Sequence, residues 1–148
     1  SKAGVDGMVG GQSLDVYLTD KPMDKEQLDY IFRLKTGALI EAAFMAGGIL
    51  AGCDEKTQGL LCKAGYNVGF AFQIKDDILD VTSTQEVLGK PVLSDERNNK
   101  TTYVTLYGLE KAEKDTYDMS KEAMGIIKSI GHNEYLEELI DMLIHRNK

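Results

Sequence analysis

Three aspartates close an apolar run near the middle of the chain, and their types and spacing suit them to chemistry. Asp76 and Asp77 precede Asp80 by four and three residues, so on a helix all three can project from one side. Gln73 adds an amide to that side. Like charges this close repel one another unless they are solvated or a cation lies between them. The pattern therefore indicates a site for a hard divalent ion with oxygen ligands.

The alternative for this motif is a solvated acidic face near a helix end, since a short acidic motif also arises by chance. The residues just before it, from Gly69 to Phe72, are apolar almost all round. Such a run is typical of a helix buried in a larger assembly. Carboxylates at the end of a buried segment are costly to keep dry without a counter-charge, so this context favours the cation site.

Length, charge and cysteine content limit the class of protein. The chain has 148 residues, of which 43% are hydrophobic, and this suits one domain with a core. A formal net charge of -7 argues against nucleic acid or an anionic membrane surface as a partner. Neither a signal peptide nor a membrane span is apparent, and Cys53 and Cys62 are interpreted as reduced core thiols. We expect a cytoplasmic protein.

The elements that must position the aspartates all have the apolar spacing of helices. Asp24 is a suitable N-cap for the helix that follows it, and Asp54 or Thr57 can cap the long helix that carries the aspartates. No strand alternation, hairpin or repeat is visible. We therefore expect an all-α helical bundle. The predicted helices are Gly7 to Leu18, Lys25 to Arg33, Lys35 to Gly48, Asp54 to Val81, Tyr103 to Tyr107, Leu109 to Ile130 and His132 to Arg146.

Three features of the first helices bear on what these helices pack against or bind. Gly10 and Gly11 each cost a helix about 1 kcal/mol, so we expect either close packing by a neighbouring helix or access for a ligand. Gln12 and Asp15 share one face, an arrangement that alone is more typical of a surface. Lys35 opens an otherwise apolar helix, so its ammonium must reach either an anion or the solvent, and both alternatives stay open.

A polar segment marked by glycine and proline, from Thr82 to Lys100, is predicted to be a loop. Segments of this kind beside a buried site are where mobile lids are often built. Lys90 and Lys100 are ten residues apart and could close on a phosphate as such a lid orders. A plain solvated connection is an equally good interpretation of the composition.

Taken in order, these motifs resemble those of the trans-isoprenyl diphosphate synthases, the family that includes farnesyl and geranylgeranyl diphosphate synthases. The resemblance covers nearly the whole chain and implies the C-terminal portion of the isoprenoid synthase helical bundle. Five ordered motifs are far more specific than one acidic motif alone. The matching residues are Gly11-Gln12-x-x-Asp15, Lys35-Thr36-Gly37, Phe72-Gln73-x-x-Asp76-Asp77-x-x-Asp80, Gly89-Lys90, and Ser94-Asp95 followed by Asn99-Lys100-Thr101-Thr102.

The resemblance implies that isopentenyl diphosphate is condensed with an allylic diphosphate, most simply geranyl to farnesyl diphosphate, after ionisation assisted by Mg²⁺. It implies a homodimer for the full-length protein. The basic end of the chain, which begins at Arg146, also resembles the family's basic tail, which folds over the isopentenyl diphosphate site. The implied roles are catalysis for Lys35, Lys90 and Asp76, substrate binding for Lys35, Thr36, Gln73, Lys90, Lys100 and Gln12, and metal binding for Asp76, Asp77, Asp80, Asp95 and Asp15.

One departure from the family matters: its members have two Asp-rich motifs on facing helices, and this sequence has only the second. We therefore expect residues 1–148 to be the C-terminal part of a single synthase domain, inactive without the N-terminal half. In the family, product length is set beside the first motif. Two alternatives remain: a terpene cyclase, which normally uses a different second metal motif, and a non-catalytic small subunit that modulates a partner synthase. The intact Lys35, Asp76 and Lys90 argue against loss of the site.

Overall fold

The computed structural model describes residues 1–83 and 100–146, apart from the side chain of Ile144. Lys90 and Asp95, with most of the predicted loop, lie outside these residues. Every regular element in the described part is helical, which confirms the all-α prediction. The elements are α1 (Met8–Tyr17), α2 (Lys25–Phe32), a π-helix (Arg33–Gly37), α3 (Ala38–Leu50), α4 (Glu55–Thr82), α5 (Tyr103–Tyr107), α6 (Leu109–Ile130) and α7 (Glu134–His145).

The long helix α4 is the centre of the fold and packs against both α3 and α6. Asp54 caps it as predicted, because its carboxylate accepts the backbone N–H of Thr57 at 2.8 Å. Ala64, Ala71 and Ile74 on α4 are 0% exposed. The expected buried helix with carboxylates in its last turns is therefore confirmed. Among the described helices, α4 included, none has the length and apolar character needed to cross a bilayer.

The core lies in two clusters along α4. The first joins the C-terminal half of α4 to α2 and α5, and it consists of Leu18, Met23, Leu28, Ile31, Phe32, Phe70, Ile74, Ile78, Tyr103 and Ala112. The second joins the N-terminal half of α4 to α6 and α7, and it consists of Leu61, Ala64, Val68, Ala123, Ile127 and Ile140. The first cluster adjoins the aspartates of α4, so packing there holds the end of the helix that bears them.

The segment Arg33–Gly37, where the sequence predicted the end of one helix at Arg33 and the start of the next at Lys35, is π-helical and links α2 to α3 without a break. It is held closely on two sides by glycines. A Cβ on Gly11 would overlap the backbone nitrogen of Lys35, and one on Gly69 would lie 2.7 Å from the Cα of Gly37. The close helix packing predicted at Gly11 is thus confirmed. Because backbone meets backbone at both contacts, the position of Lys35 is set by α1 and α4.

Cys53 and Cys62 are free thiols, but they are half-buried and not part of the core, so the prediction of core thiols is wrong. Cys62 lies beside Glu41, a buried carboxylate inside α3, with Sγ 3.7 Å from Oε2. Burial, together with the negative charge of Glu41, raises the pKa of the Cys62 thiol. Glu41 also forms an ion pair with Lys2, which supplies the counter-charge that a buried carboxylate needs.

Candidate functional site

Asp15 forms ion pairs with two of the lysines predicted for the site. The Nζ of Lys35 lies 2.6 Å from Oδ2 of Asp15, and the Nζ of Lys100 lies 3.5 Å from Oδ1. The Asp15 side chain is only 11% exposed, whereas the two lysine side chains are 31% and 38% exposed. Of the alternatives open for Lys35, the structure therefore supports contact with an anion. Three residues predicted for the site, carried by α1, the π-helix and the segment before α5, meet at one point.

The charge balance of this lysine cluster, which consists of Asp15, Lys35 and Lys100, leaves one positive charge in excess. Burial acts to raise the pKa of Asp15, but the hydrogen bond from Lys35 and the charges of Lys100 and Lys35 outweigh it, so the pKa is lowered. Asp15 is therefore ionised at neutral pH. The lysines keep access to solvent, and their spare N–H donors can bind an anion such as a phosphate oxygen.

Three further predicted residues lie on the elements that build the site. Gln12 is on α1 one turn before Asp15, and Thr36 follows Lys35 in the π-helix. Gln73 is on α4 one turn before the aspartates. All three side chains are half-buried. Their positions agree with the predicted binding role, which stays a prediction.

Asp76 is covered by an arginine from the end of the chain. Nη2 of Arg146 forms an ion pair with Oδ1 of Asp76 and donates to the Phe72 carbonyl at 3.2 Å. The guanidinium also lies over the Phe72 ring, 3.8 Å from its centroid. The sequence indicated a basic tail at Arg146 but gave no sign of this partner, because the contact depends on where α7 ends. Arg146 therefore neutralises Asp76, whose side chain is still 44% exposed.

Asp77 contacts a different element from its neighbour. Its Oδ2 accepts the backbone N–H of Tyr103, the first residue of α5, at 2.6 Å. Successive residues of an α-helix point about 100° apart, so Asp76 and Asp77 meet separate parts of the fold. Asp80, one turn further on, is 2% exposed. The aspartates of α4 thus have three distinct environments, and the contact at Tyr103 is one that sequence analysis missed.

The fit of these residues to a metal ion follows from their environments. Within residues 1–83 and 100–146, no three Asp, Glu, His or Cys side chains are close enough to hold one ion. Mg²⁺, however, commonly takes one or two protein carboxylates and completes its shell with water and phosphate oxygens. The partly exposed carboxylate of Asp76 fits that requirement. The described residues thus fit an ion shared between Asp76 and a diphosphate, and metal roles for Asp77, Asp80 and Asp15 stay predictions.

Comparison with known proteins identifies the relatives of this chain. A family model described as polyprenyl synthetase matches residues 3–143. Farnesyl diphosphate synthase of Escherichia coli (strain K12) is 40% identical over 154 residues, with 100% of this chain and 51% of that protein covered. Geranylgeranyl diphosphate synthase of Cyanophora paradoxa is 38% identical over 143 residues, with 95% and 48% covered. These matches confirm the resemblance seen in the ordered motifs.

The solved structures agree with the sequence relatives. Geranyltransferase from Helicobacter pylori, crystallised with magnesium and isoprenyl diphosphate, superposes with a TM-score of 0.77 at 32% identity. The superposition covers 97% of this chain and 47% of that one. The chain thus spans about half the length of the relatives it matches. Since the family model covers nearly all of its residues, the chain belongs to the polyprenyl synthetase family.

Proposed function

We propose that this chain is the C-terminal part of a Mg²⁺-dependent prenyltransferase of isoprenoid biosynthesis. The reaction is the condensation of isopentenyl diphosphate with an allylic diphosphate, and we favour geranyl to farnesyl diphosphate. The observation that carries the proposal is the convergence of Lys35 and Lys100 on Asp15. Two ammonium groups around one carboxylate leave a net positive site with spare donors, and this matches a diphosphate group.

The chemistry expected of the lysine cluster follows from its charge. In prenyl transfer the difficult step is separation of the allylic cation from diphosphate, and donors aimed at the departing oxygens lower its barrier. Lys35 and Lys100 would supply such donors. Asp15 holds the ammonium group of Lys35 in place and attracts that of Lys100 before the substrate arrives, so little reorganisation is needed during the reaction. Mg²⁺, when bound, would act as a Lewis acid on the same diphosphate oxygens.

Asp76 is the residue we propose to hold the metal ion. Its carboxylate is ion-paired with Arg146 in the structure, so binding of a cation would make the arginine redundant as a counter-charge. The guanidinium could then turn towards the incoming diphosphate, for which its planar donors are well suited. Lys90 and Asp95, outside the described residues, remain the predicted loop contributors to this site.

The relatives are about twice as long as this chain, and we propose that residues 1–148 supply one part of a single synthase domain. The first Asp-rich motif of the family would come from the other part. One carboxylate cluster cannot enclose a diphosphate between two metal clamps, so we expect this chain alone to be inactive. Transfer of label from isopentenyl diphosphate to geranyl diphosphate tests this. Turnover by the chain alone would contradict the inactivity but not the proposed reaction.

A homodimer is the assembly we propose for the full-length protein. Large apolar side chains on the outer surfaces of α1 and α3 are exposed: Val9, Val16, Tyr17, Leu39, Ile49 and Leu50. Exposed apolar residues in this number favour association. Sedimentation of the full-length protein should show a dimer that Leu50→Gln weakens. Met142→Gln, at an exposed position on α7, is the matched control and should leave the dimer intact. A monomer in the unaltered protein would contradict the proposal.

Calorimetric titration of inorganic pyrophosphate into this chain, with Mg²⁺ and then with excess chelator, tests the proposed site. We expect binding that needs Mg²⁺ and that Lys35→Met and Asp76→Asn each weaken by about tenfold or more, because hydrogen bonds to charged groups are lost. Lys114→Met is the matched control, since that lysine pairs with Asp118 on the exposed face of α6. Equal losses in the control and in Lys35→Met would contradict the assignment of the site.

A further inference from the structure

We propose that Asp77 is a positioning residue: through the backbone of Tyr103, its carboxylate fixes the segment that presents Lys100 to Asp15. The role predicted for this aspartate was metal binding, whereas its contact with Tyr103 favours a role in positioning the backbone. The consequence for diphosphate binding rests on the proposed function, whereas the contacts themselves do not.

The anchor itself is a short, charge-assisted hydrogen bond. Oδ2 of Asp77 accepts the N–H of Tyr103 at 2.6 Å, which is slightly shorter than the roughly 2.7–2.9 Å usual for charge-assisted N–H···O bonds. Tyr103 is 7% exposed, and its ring packs 6.2 Å from that of Phe32 and 4.4 Å from that of Tyr107, measured between centroids. Its hydroxyl donates to Asp115 at 2.7 Å. The backbone at Tyr103 therefore cannot shift without disturbing the first core cluster.

Two neighbouring residues are anchored as well. The backbone N–H of Met23 donates to Oγ1 of Thr101 at 3.1 Å. Thr102 caps α5, and it exchanges hydrogen bonds with Thr105 of 2.8 and 3.2 Å. Thr101 and Tyr103 are thus tied to other parts of the fold, Tyr103 through Asp77, and the cap at Thr102 joins them to the first turn of α5. Lys100 comes one residue before the first of them, so its backbone position is set by these anchors.

Lys100 depends on this placement because its own contact with Asp15 is long. The separation of 3.5 Å between Nζ and Oδ1 is that of a weak ion pair, unlike the 2.6 Å bond from Lys35. An extended chain advances by about 3.3–3.6 Å per residue, so a slip by one residue would carry the ammonium out of range. Because the Lys100 side chain is flexible, its weak contact with Asp15 persists only if the backbone of Lys100 is fixed.

Two substitutions of Asp77 in the 148-residue chain separate positioning from metal binding. The amide oxygen of Asp77→Asn can still accept the Tyr103 N–H, whereas Asp77→Ala cannot. Hydrogen exchange of the Tyr103 amide should be at least about tenfold faster in Asp77→Ala, and within about threefold of the unaltered chain in Asp77→Asn. Acylation of Lys100, followed by mass spectrometry, should accelerate only in Asp77→Ala. Asp118→Ala, on the exposed face of α6, is the control and should change neither rate.

Titration with Mg²⁺ and pyrophosphate completes the test. Asp77→Asn should bind within about threefold of the unaltered chain, and Asp77→Ala should bind more weakly. Equal loss of binding in both variants, with the Tyr103 amide still protected in Asp77→Asn, would overturn the proposal in favour of a metal ligand. Unchanged exchange and acylation in Asp77→Ala would overturn it too.

Two safeguards keep the result interpretable. If the unaltered chain binds no pyrophosphate, the proposed function fails, while the exchange and acylation rates still decide the role of Asp77. If Asp77→Ala does not fold, Thr101→Val removes a separate anchor of the same segment with little change in volume. It should accelerate the acylation of Lys100, and an unchanged rate would overturn the proposal.

Discussion

Replacing Gly11 by alanine tests the closest helix contact in the site. A Cβ at this position would overlap the backbone nitrogen of Lys35 and lie 2.8 Å from Cβ and 2.9 Å from the carbonyl carbon of Leu34. Contacts of a real Cβ below 3.0 Å are essentially absent from proteins. Backbone atoms cannot rotate away as a flexible side chain can, so α1 must move from the π-helix or push Lys35 out of place.

The expected magnitude combines two opposing effects. Overpacking costs about 1–3 kcal/mol, and contact with backbone places this substitution near the upper end. Alanine in place of glycine gains about 1 kcal/mol of helix propensity. The net loss in the free energy of unfolding is therefore about 2 kcal/mol, which lowers Tm by about 4–8 °C for a chain of this size. Because Lys35 is displaced, Mg²⁺-dependent binding of pyrophosphate should weaken in the same variant.

Urea denaturation followed by circular dichroism measures this change. The urea midpoint should fall while the m-value stays constant, because the surface area exposed on unfolding hardly differs between the variant and the unaltered chain. Gly125→Ala is the matched control. Gly125 lies on α6, and no atom is within 4 Å of the position that a Cβ would take there, so alanine should raise the free energy of unfolding by about 0.5–1 kcal/mol. If Gly11→Ala gains stability as Gly125→Ala does, the close approach of α1 to the π-helix is refuted.

Three further predictions concern the core, a helix cap and acid stability. Ile74→Ala, at a side chain that is 0% exposed, should cost about 3 kcal/mol in urea denaturation, whereas Val81→Ala at an exposed position of α4 should cost far less. Asn133 caps α7 by accepting the N–H of Leu136 at 3.0 Å, so Asn133→Ala should lose about 1 kcal/mol in thermal melts and Asn133→Ser should keep most of it. The pKa of Asp15 is lowered in the folded chain, so its stabilising effect is complete above the unfolded value of about 3.9 and is lost as the pH falls through the lower folded value. Unfolding free energies of the unaltered chain and of Asp15→Asn, measured from pH 7 to pH 2, should differ by a constant amount near neutrality and converge only in acid; a constant difference throughout would contradict the assignment.

Much of the fold could be predicted because its determinants are local. The predicted caps were Asp24 for α2 and either Asp54 or Thr57 for α4, from their position before apolar periodic segments, and Asp24 and Asp54 accept the expected backbone N–H groups. The run before Asp76 indicated a buried helix because it lacks a polar face, and α4 is buried there. The pair at Gly10 and Gly11 predicted either close packing by a neighbouring helix or access for a ligand, since glycine inside a helix is unfavourable without such a reason, and at Gly11 the structure has the close packing.

The contacts of the site were beyond prediction because they join residues far apart in the chain. Arg146 reaches Asp76 across 70 residues, and Tyr103 reaches Asp77 across 26. Each pairing depends on the direction in which α7 or α5 returns to α4, which helical periodicity does not encode. Spacing correctly placed the aspartates in one helix. It could not show that adjacent carboxylates would face different elements.

The π-helix makes the helical rod tolerant of a one-residue change in length at one point. α2 and α3 form one uninterrupted helical run from Lys25 to Leu50, in which the segment Arg33–Gly37 accommodates an extra residue. Each residue of an α-helix turns the rod by about 100° and each residue of the wider π-helix turns it less, so the five residues of Arg33–Gly37 turn it about as far as four α-helical residues would. Removing one residue here would therefore leave α3 facing nearly the same way, whereas removing one from α3 ahead of Glu41 would turn Glu41 away from Lys2. The register between the two halves of the rod thus tolerates one deletion within the π-helix and none on either side of it.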